Sequence, residues 1–151
     1  YLEIKLDLQS ELFISINSKV ISDSKSMSKK FIRETFSNVW FSMISWMLLN
    51  PSKFKFLVQF SDSAHINGKT RERVEDAFSE WKVLFEMGQK IDVFNKLPAD
   101  LLLGLVTSHV FTTCNFLLEN SSLWQQDSIR LSLFESCWAQ VASSKDSVKI
   151  K

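Results

Sequence analysis

Apolar residues recur at helical spacing along most of the chain. In YLEIKLDLQSELFISINSKV the positions Leu2, Leu6, Gln9, Phe13, Ile16 and Val20 step by four and three, which places them on one face of a helix over residues 1–20. ISDSKSM (21–27) is a polar break. The next segment, 28–49, begins with one stripe of Ile32, Phe36, Val39, Trp40, Met43 and Met47. It then becomes apolar on every side through Phe41, Ile44, Trp46 and Leu48. A helix apolar all round is surrounded by other helices, so this segment is the predicted centre of a bundle.

Four more helices follow. Asn50-Pro51 reads as N-cap and first helical position of a short third helix, 52–60. A polar loop, SDSAHINGKT (61–70), leads to a fourth helix from about Arg71 to Val93, with Val74, Phe78, Trp81, Phe85 and Ile91 on its stripe. Pro98 opens the fifth, with Asp100 in the first turn, where a carboxylate suits the helix dipole. Ser122-x-x-Gln125 has the capping-box spacing and predicts a sixth helix to about Ser143, followed by a polar tail, 144–151. The fold class is therefore all-α, a six-helix bundle.

The composition agrees. The chain of 151 residues has only three glycines and two prolines, so tight turns are few and long helices are favoured. It is 45% hydrophobic and 23% charged, enough for a real core. A net charge of +1 without a basic run removes the electrostatic footprint of a strong nucleic-acid binder. Cys114 and Cys137 lack metal-ligand spacing and read as buried thiols in a reducing cytoplasm. In an antiparallel hairpin they would stand on the order of 15 Å apart along the axis, beyond bridging range. LLLGLVTSHVFTTCNFLL (101–118) approaches the length of a membrane span. Its His109, Asn115 and hydroxyls, and its flanking Asp100 and Glu119, argue against one.

Catalytic signatures are missing. The chain has no GxSxG, HExxH, Walker or GxGxxG motif, and no acid stands between Glu34 and Asp62. No enzyme activity, cofactor or metal is predicted. The aromatic residues instead suggest a pocket. Phe36, Trp40, Met43 and Met47, Phe56 and Phe60, and Trp81 and Phe85 can converge with His109 and Thr113 into an apolar lining with few polar groups. Such a Trp/Met stripe at helical spacing is more often plain core. Without a buried acid, a lipophilic neutral ligand suits the site better than a cation.

The last two helices have one apolar face too many. Gly104, Ser108 and Thr112 form a stripe of small residues on the fifth. Leu101 and Leu105 flank it, and Ile129, Leu133 and Cys137 form a second stripe on the sixth. A two-fold dimer through residues 97–143 is the simplest cover.

Taken together, NPSKFKFLVQF, WKVLFEMG, LPADLLLGLVTSHVFTTCNFLLE and LWQQDSIRLSLFESCWAQVA resemble the ligand-binding and dimerisation domain of tetracycline-repressor (TetR) family transcriptional regulators, over residues 1–143. The resemblance implies that residues 1–20 are the connecting helix from an N-terminal helix-turn-helix domain, which the chain lacks. It also implies a cytoplasmic one-component switch, in which a small lipophilic effector makes a homodimeric repressor release its operator. DNA would be reached only through the missing domain, and no membrane is involved. A helical protein-interaction adaptor without a small ligand is the competing expectation.

Overall fold

The structure is a computed structural model that describes residues 28–62 and 79–144. The predicted first helix, most of the 61–70 loop, the first turns of the fourth helix and the tail beyond Ser144 lie outside the described residues. Within them stand five α-helices and one 3-10 turn, one helix fewer than the predicted six. They are α1 (Lys29–Leu49), α2 (Pro51–Asp62), α3 (Ser79–Lys90), α4 (Ala99–Glu119), the 3-10 turn Ser121–Gln125, and α5 (Asp127–Val141).

α1 is the centre, as its sequence predicts. It touches α2, α3, α4 and α5. Ser28 caps it, its hydroxyl accepting from the Phe31 N–H at 3.1 Å. Its buried residues are Ile32, Thr35, Phe36, Val39, Trp40, Met43, Ile44 and Met47. Phe36 is the hub. Its ring meets Trp81 and Trp138 edge-on, each at 5.3 Å, and Phe94 and Phe134 at 5.9 and 6.1 Å. One side chain therefore joins α3, α5 and the 91–98 connection to the central helix. Arg33, one turn before, lies over the Phe134 and Trp138 rings and pairs with Glu135. At the other end of α1, the Cys114 thiol reaches the Met47 sulfur at 3.7 Å.

Several boundaries differ from the sequence reading, each for a local reason. α3 stops at Lys90 rather than Val93. The Gly88 carbonyl accepts from the Val93 N–H at 2.8 Å, and the chain turns through Asp92 at a φ of 59°. This turn lays Phe94 against Gly88, where a Cβ would stand 2.2 Å from the ring. Only glycine permits that approach. Phe94 also forms an antiparallel bridge with Ala142. The Asn95 N–H donates to the Val141 carbonyl and the Ser143 N–H to the Val93 carbonyl, both at 2.9 Å, so α5 ends at Val141. Pro98 takes the N-cap position of α4 instead of its first turn. Ser122 and Gln125 form no capping box. Both lie in the 3-10 turn, and α5 starts after Gln126. Asn50 turns its amide back to the Trp46 carbonyl at 2.9 Å rather than forward into α2.

Candidate functional site

The residues expected to line a pocket are mostly packed side chain on side chain. Phe36, Trp40, Met47 and Phe85 are fully buried, and Trp81, Met43 and Thr113 nearly so. Trp81 stacks on Phe85 at 5.9 Å, while Trp40 meets Phe134 at 5.6 Å and Phe41 at 4.9 Å. Phe56 departs from the expected convergence and is 42% exposed. α2 turns Phe54 inward against Phe111, and a residue two positions on points about 200° round the helix. The Phe60 side chain lies outside the described residues.

The buried face has few polar atoms, and three lack a partner: Thr35 Oγ1, Trp40 Nε1 and Trp81 Nε1. Cys137 lies close to the Trp40 indole, but sulfur accepts too weakly to satisfy the N–H. Burial pushes both thiols, Cys114 and Cys137, up to about 12, so both stay protonated. Both cysteines are free.

His109 sits at the seam between α4 and α5, half-buried rather than facing the interior. Its Nε2 is 2.8 Å from Ser136 Oγ, and the Ser136 hydroxyl donates to the Leu133 carbonyl at 2.7 Å. The serine's one proton being used, the imidazole donates from Nε2. Nδ1 then accepts from the Thr113 hydroxyl at 3.4 Å. Burial holds the imidazole below its usual range.

The outward face of α4 is apolar and open. Leu101 is 48% exposed and Phe116 54%, and Leu97, just before the helix, is 40% exposed. Gly104, Ser108 and Thr112 are exposed among them, with nothing within 4 Å of the Gly104 Cβ position. Leu105, Ile129 and Leu133 are half-buried at the edges of this face. Cys137 does not belong with them, contrary to expectation. It shares the i, i+3, i+4, i+7 stripe of Phe134, Trp138 and Val141 and is fully buried in the core.

Two surface clefts involve other residues. One of about 470 Å³ lies between α1 and α5, with Arg33, Ser37, Asn38, Phe41 and Leu131 among its walls. Another of about 370 Å³ lies at the α1–α4 end, beside Leu48, Leu117 and Trp124. Among the described residues no group of three His, Cys, Asp or Glu side chains is gathered for a metal.

A family model described as "Tetracyclin repressor-like, C-terminal domain" matches residues 32–142. The chain belongs to this family. No curated protein matches. Among solved structures, this tetracyclin repressor-like domain is similar to a chain from Shewanella sp. PV-4 described as a TetR family transcription regulator. The TM-score is 0.78 and the identity 18%, covering 93% of this chain and 70% of that one. At that identity the likeness is one of fold. The family is one of non-enzymatic transcription regulators, so the domain's role lies in regulation rather than catalysis.

Within this tetracyclin repressor-like domain, Phe36, Trp40, Trp81 and Phe85 belong to one packed core cluster, and neither of the two clefts above is lined by them. Thr35 was not singled out by sequence. It is a polar residue inside the apolar stripe Ile32, Phe36, Val39, and that interruption was the available signal.

Proposed function

We propose that this domain is the effector-sensing and dimerising half of a one-component cytoplasmic repressor. A small lipophilic molecule would enter the core beside Phe36, Trp40, Met43, Met47, Trp81 and Phe85, and two copies would associate through α4 and α5. Operator DNA would be reached through a helix-turn-helix domain outside this chain. Physically, the effector must bind the DNA-releasing arrangement more tightly than the DNA-bound one, since equal affinity shifts nothing.

The observation that carries the reading is the open face of α4, an almost uncharged helix, where Leu101 and Phe116 stand exposed with Gly104, Ser108 and Thr112 between them. Large apolar side chains left open on a helix face mark interaction sites. Light scattering on this chain at tens of micromolar tests it. A dimer supports the reading, and a monomer removes it. A monomer that captures an unrelated protein through α4 would favour the adaptor reading.

A further inference from the structure

Buried polar atoms are nearly always hydrogen-bonded, so each exception asks for a reason. Three exceptions stand on α1 and α3 among the described residues, each residue 0–1% exposed: Thr35 Oγ1 and Trp81 Nε1, which have no partner, and Trp40 Nε1, which has only the weakly accepting Cys137 sulfur. Thr35 shows the choice most clearly. A threonine within a helix has a ready acceptor in the carbonyl four residues back. Thr107 on α4 uses it, bonding the Leu103 carbonyl at 2.8 Å. Thr35 forgoes it and leaves its hydroxyl buried and unsatisfied.

The groups share one capacity. An indole N–H only donates, and the unpaired Thr35 hydroxyl, which can donate or accept, also has a proton to give. No charge accompanies them, because the buried polar residues among those described are Thr35 and Thr113 alone. A cationic ligand would find no carboxylate, and an anionic one no buried base. Trp81 stands edge-on to Phe36 at 5.3 Å, and Thr35 is the buried residue next to Phe36 on α1, so both residues border the same ring.

We infer that Thr35 and Trp81 are the polar anchors of the effector site and that the effector is an uncharged aromatic lipophile bearing a hydrogen-bond acceptor, such as a carbonyl or ether oxygen. This rests on the proposed effector-binding role. It adds a device for switching. The ligand-free packing carries the desolvation cost of orphaned donors, and an acceptor-bearing guest removes that cost in the liganded state alone. The guest thereby gains the differential affinity a switch requires.

Benzophenone, diphenylmethane and benzhydrylamine share a two-ring frame and differ in one group: acceptor, none, and cation. Binding of each to the full chain is measured by calorimetry and by the shift in thermal midpoint. Benzophenone should bind at least tenfold more tightly than diphenylmethane, and benzhydrylamine should not bind at neutral pH. Thr35→Val is close to isosteric. Without ligand it should leave the midpoint unchanged or raise it, because it deletes an unsatisfied group. With ligand, it should cut benzophenone affinity severalfold and leave diphenylmethane unchanged, and Trp81→Phe should do the same. Equal binding of benzophenone and diphenylmethane, or a lowered midpoint for ligand-free Thr35→Val, overturns the anchor assignment while the effector-binding role stands. Failure of all three compounds to bind overturns both.

Discussion

α1 and α4 are each 21 residues long, and their fates differ. α1 carries charges in its first turns, Lys29, Lys30, Arg33 and Glu34, yet its apolar stripe is fully enclosed by α2, α3, α4 and α5. α4 is the more apolar of the two, with a mean hydropathy of 1.6 and the length of a membrane span, yet only 33% of its apolar window is buried. Hydrophobicity alone therefore did not decide which helix became the centre. α1 presents Phe36, Trp40 and Phe41, and each of the three finds a ring on another element. α4 divides its apolar residues between two faces, with Val106, Val110, Cys114 and Leu117 inward and Leu101 and Phe116 outward. Burial in α1 builds the protomer. The surplus in α4 stays open at Leu101 and Phe116.

The sharpest way to break this contrast is to truncate one large residue on each helix. Phe36→Ala removes the ring that five others touch and should destabilise by about 3–5 kcal/mol, as buried Phe→Ala changes do. Phe116→Ala on the outward face should fall within about 0.5 kcal/mol for the isolated protomer. Urea unfolding under dilute conditions measures both. A large loss for Phe116→Ala would mean that its face is covered within the chain after all.

The two described glycines sharpen the same comparison at lower amplitude. Gly88→Ala places a Cβ 2.2 Å from Phe94 and 3.3 Å from Ile32, so the Phe94 turn must shift. About 1–3 kcal/mol should be lost, the usual cost of overpacking. Gly104→Ala meets nothing within 4 Å and should gain up to about 1 kcal/mol of helix propensity in the protomer. Gly104→Leu should also fold, but it should shift the light-scattering mass toward monomer, because the small stripe no longer admits a close helix. Unfolding midpoints and mass together separate the two positions. Dimerisation by Gly104→Leu as strong as wild type would put the two-fold contact elsewhere.

This contrast also marks how far the sequence could be read. The central role of residues 29–49 was legible because periodicity and all-round apolarity reinforce each other there. The end of α3 was not. The stripe through Gly88 and Ile91 continues on paper, whereas the fold breaks it so that Phe94 can reach the core over a glycine. The capping box at Ser122 failed for a related reason. Spacing alone does not say whether a turn after a long helix is α or 3-10. Cys137 was misplaced because α5 is apolar on two sides, and a small residue fits either stripe. Of the candidate site, the aromatic part was visible in spacing. The orphaned hydroxyl of Thr35 was not, since whether a polar group finds a partner depends on rotamer and neighbours rather than on residue type.

The smallest expected effect concerns His109, which lies at the seam where the buried face of α4 passes into the exposed one. Burial holds its folded-state pKa below the unfolded value of 6.5. Above 6.5 both states are neutral there, and the residue adds no pH dependence. As pH falls through 6.5 the unfolded chain takes up a proton more readily than the folded one. Stability is then lost down to the folded-state pKa and levels off below it. The geometry gives the same sign. A proton on Nδ1 would meet the Thr113 hydroxyl proton that now points at it, so the hydroxyl would have to turn away. His109→Gln keeps a hydrogen-bonding side chain beside Ser136 and cannot titrate. Urea midpoints of both proteins at pH 8 and pH 5 test the assignment. Wild type should lose more stability than the variant over that interval, the excess arising below 6.5. Equal losses would mean that the imidazole is hydrated like an exposed one, and the seam would then belong to the open face of α4 rather than to its buried one.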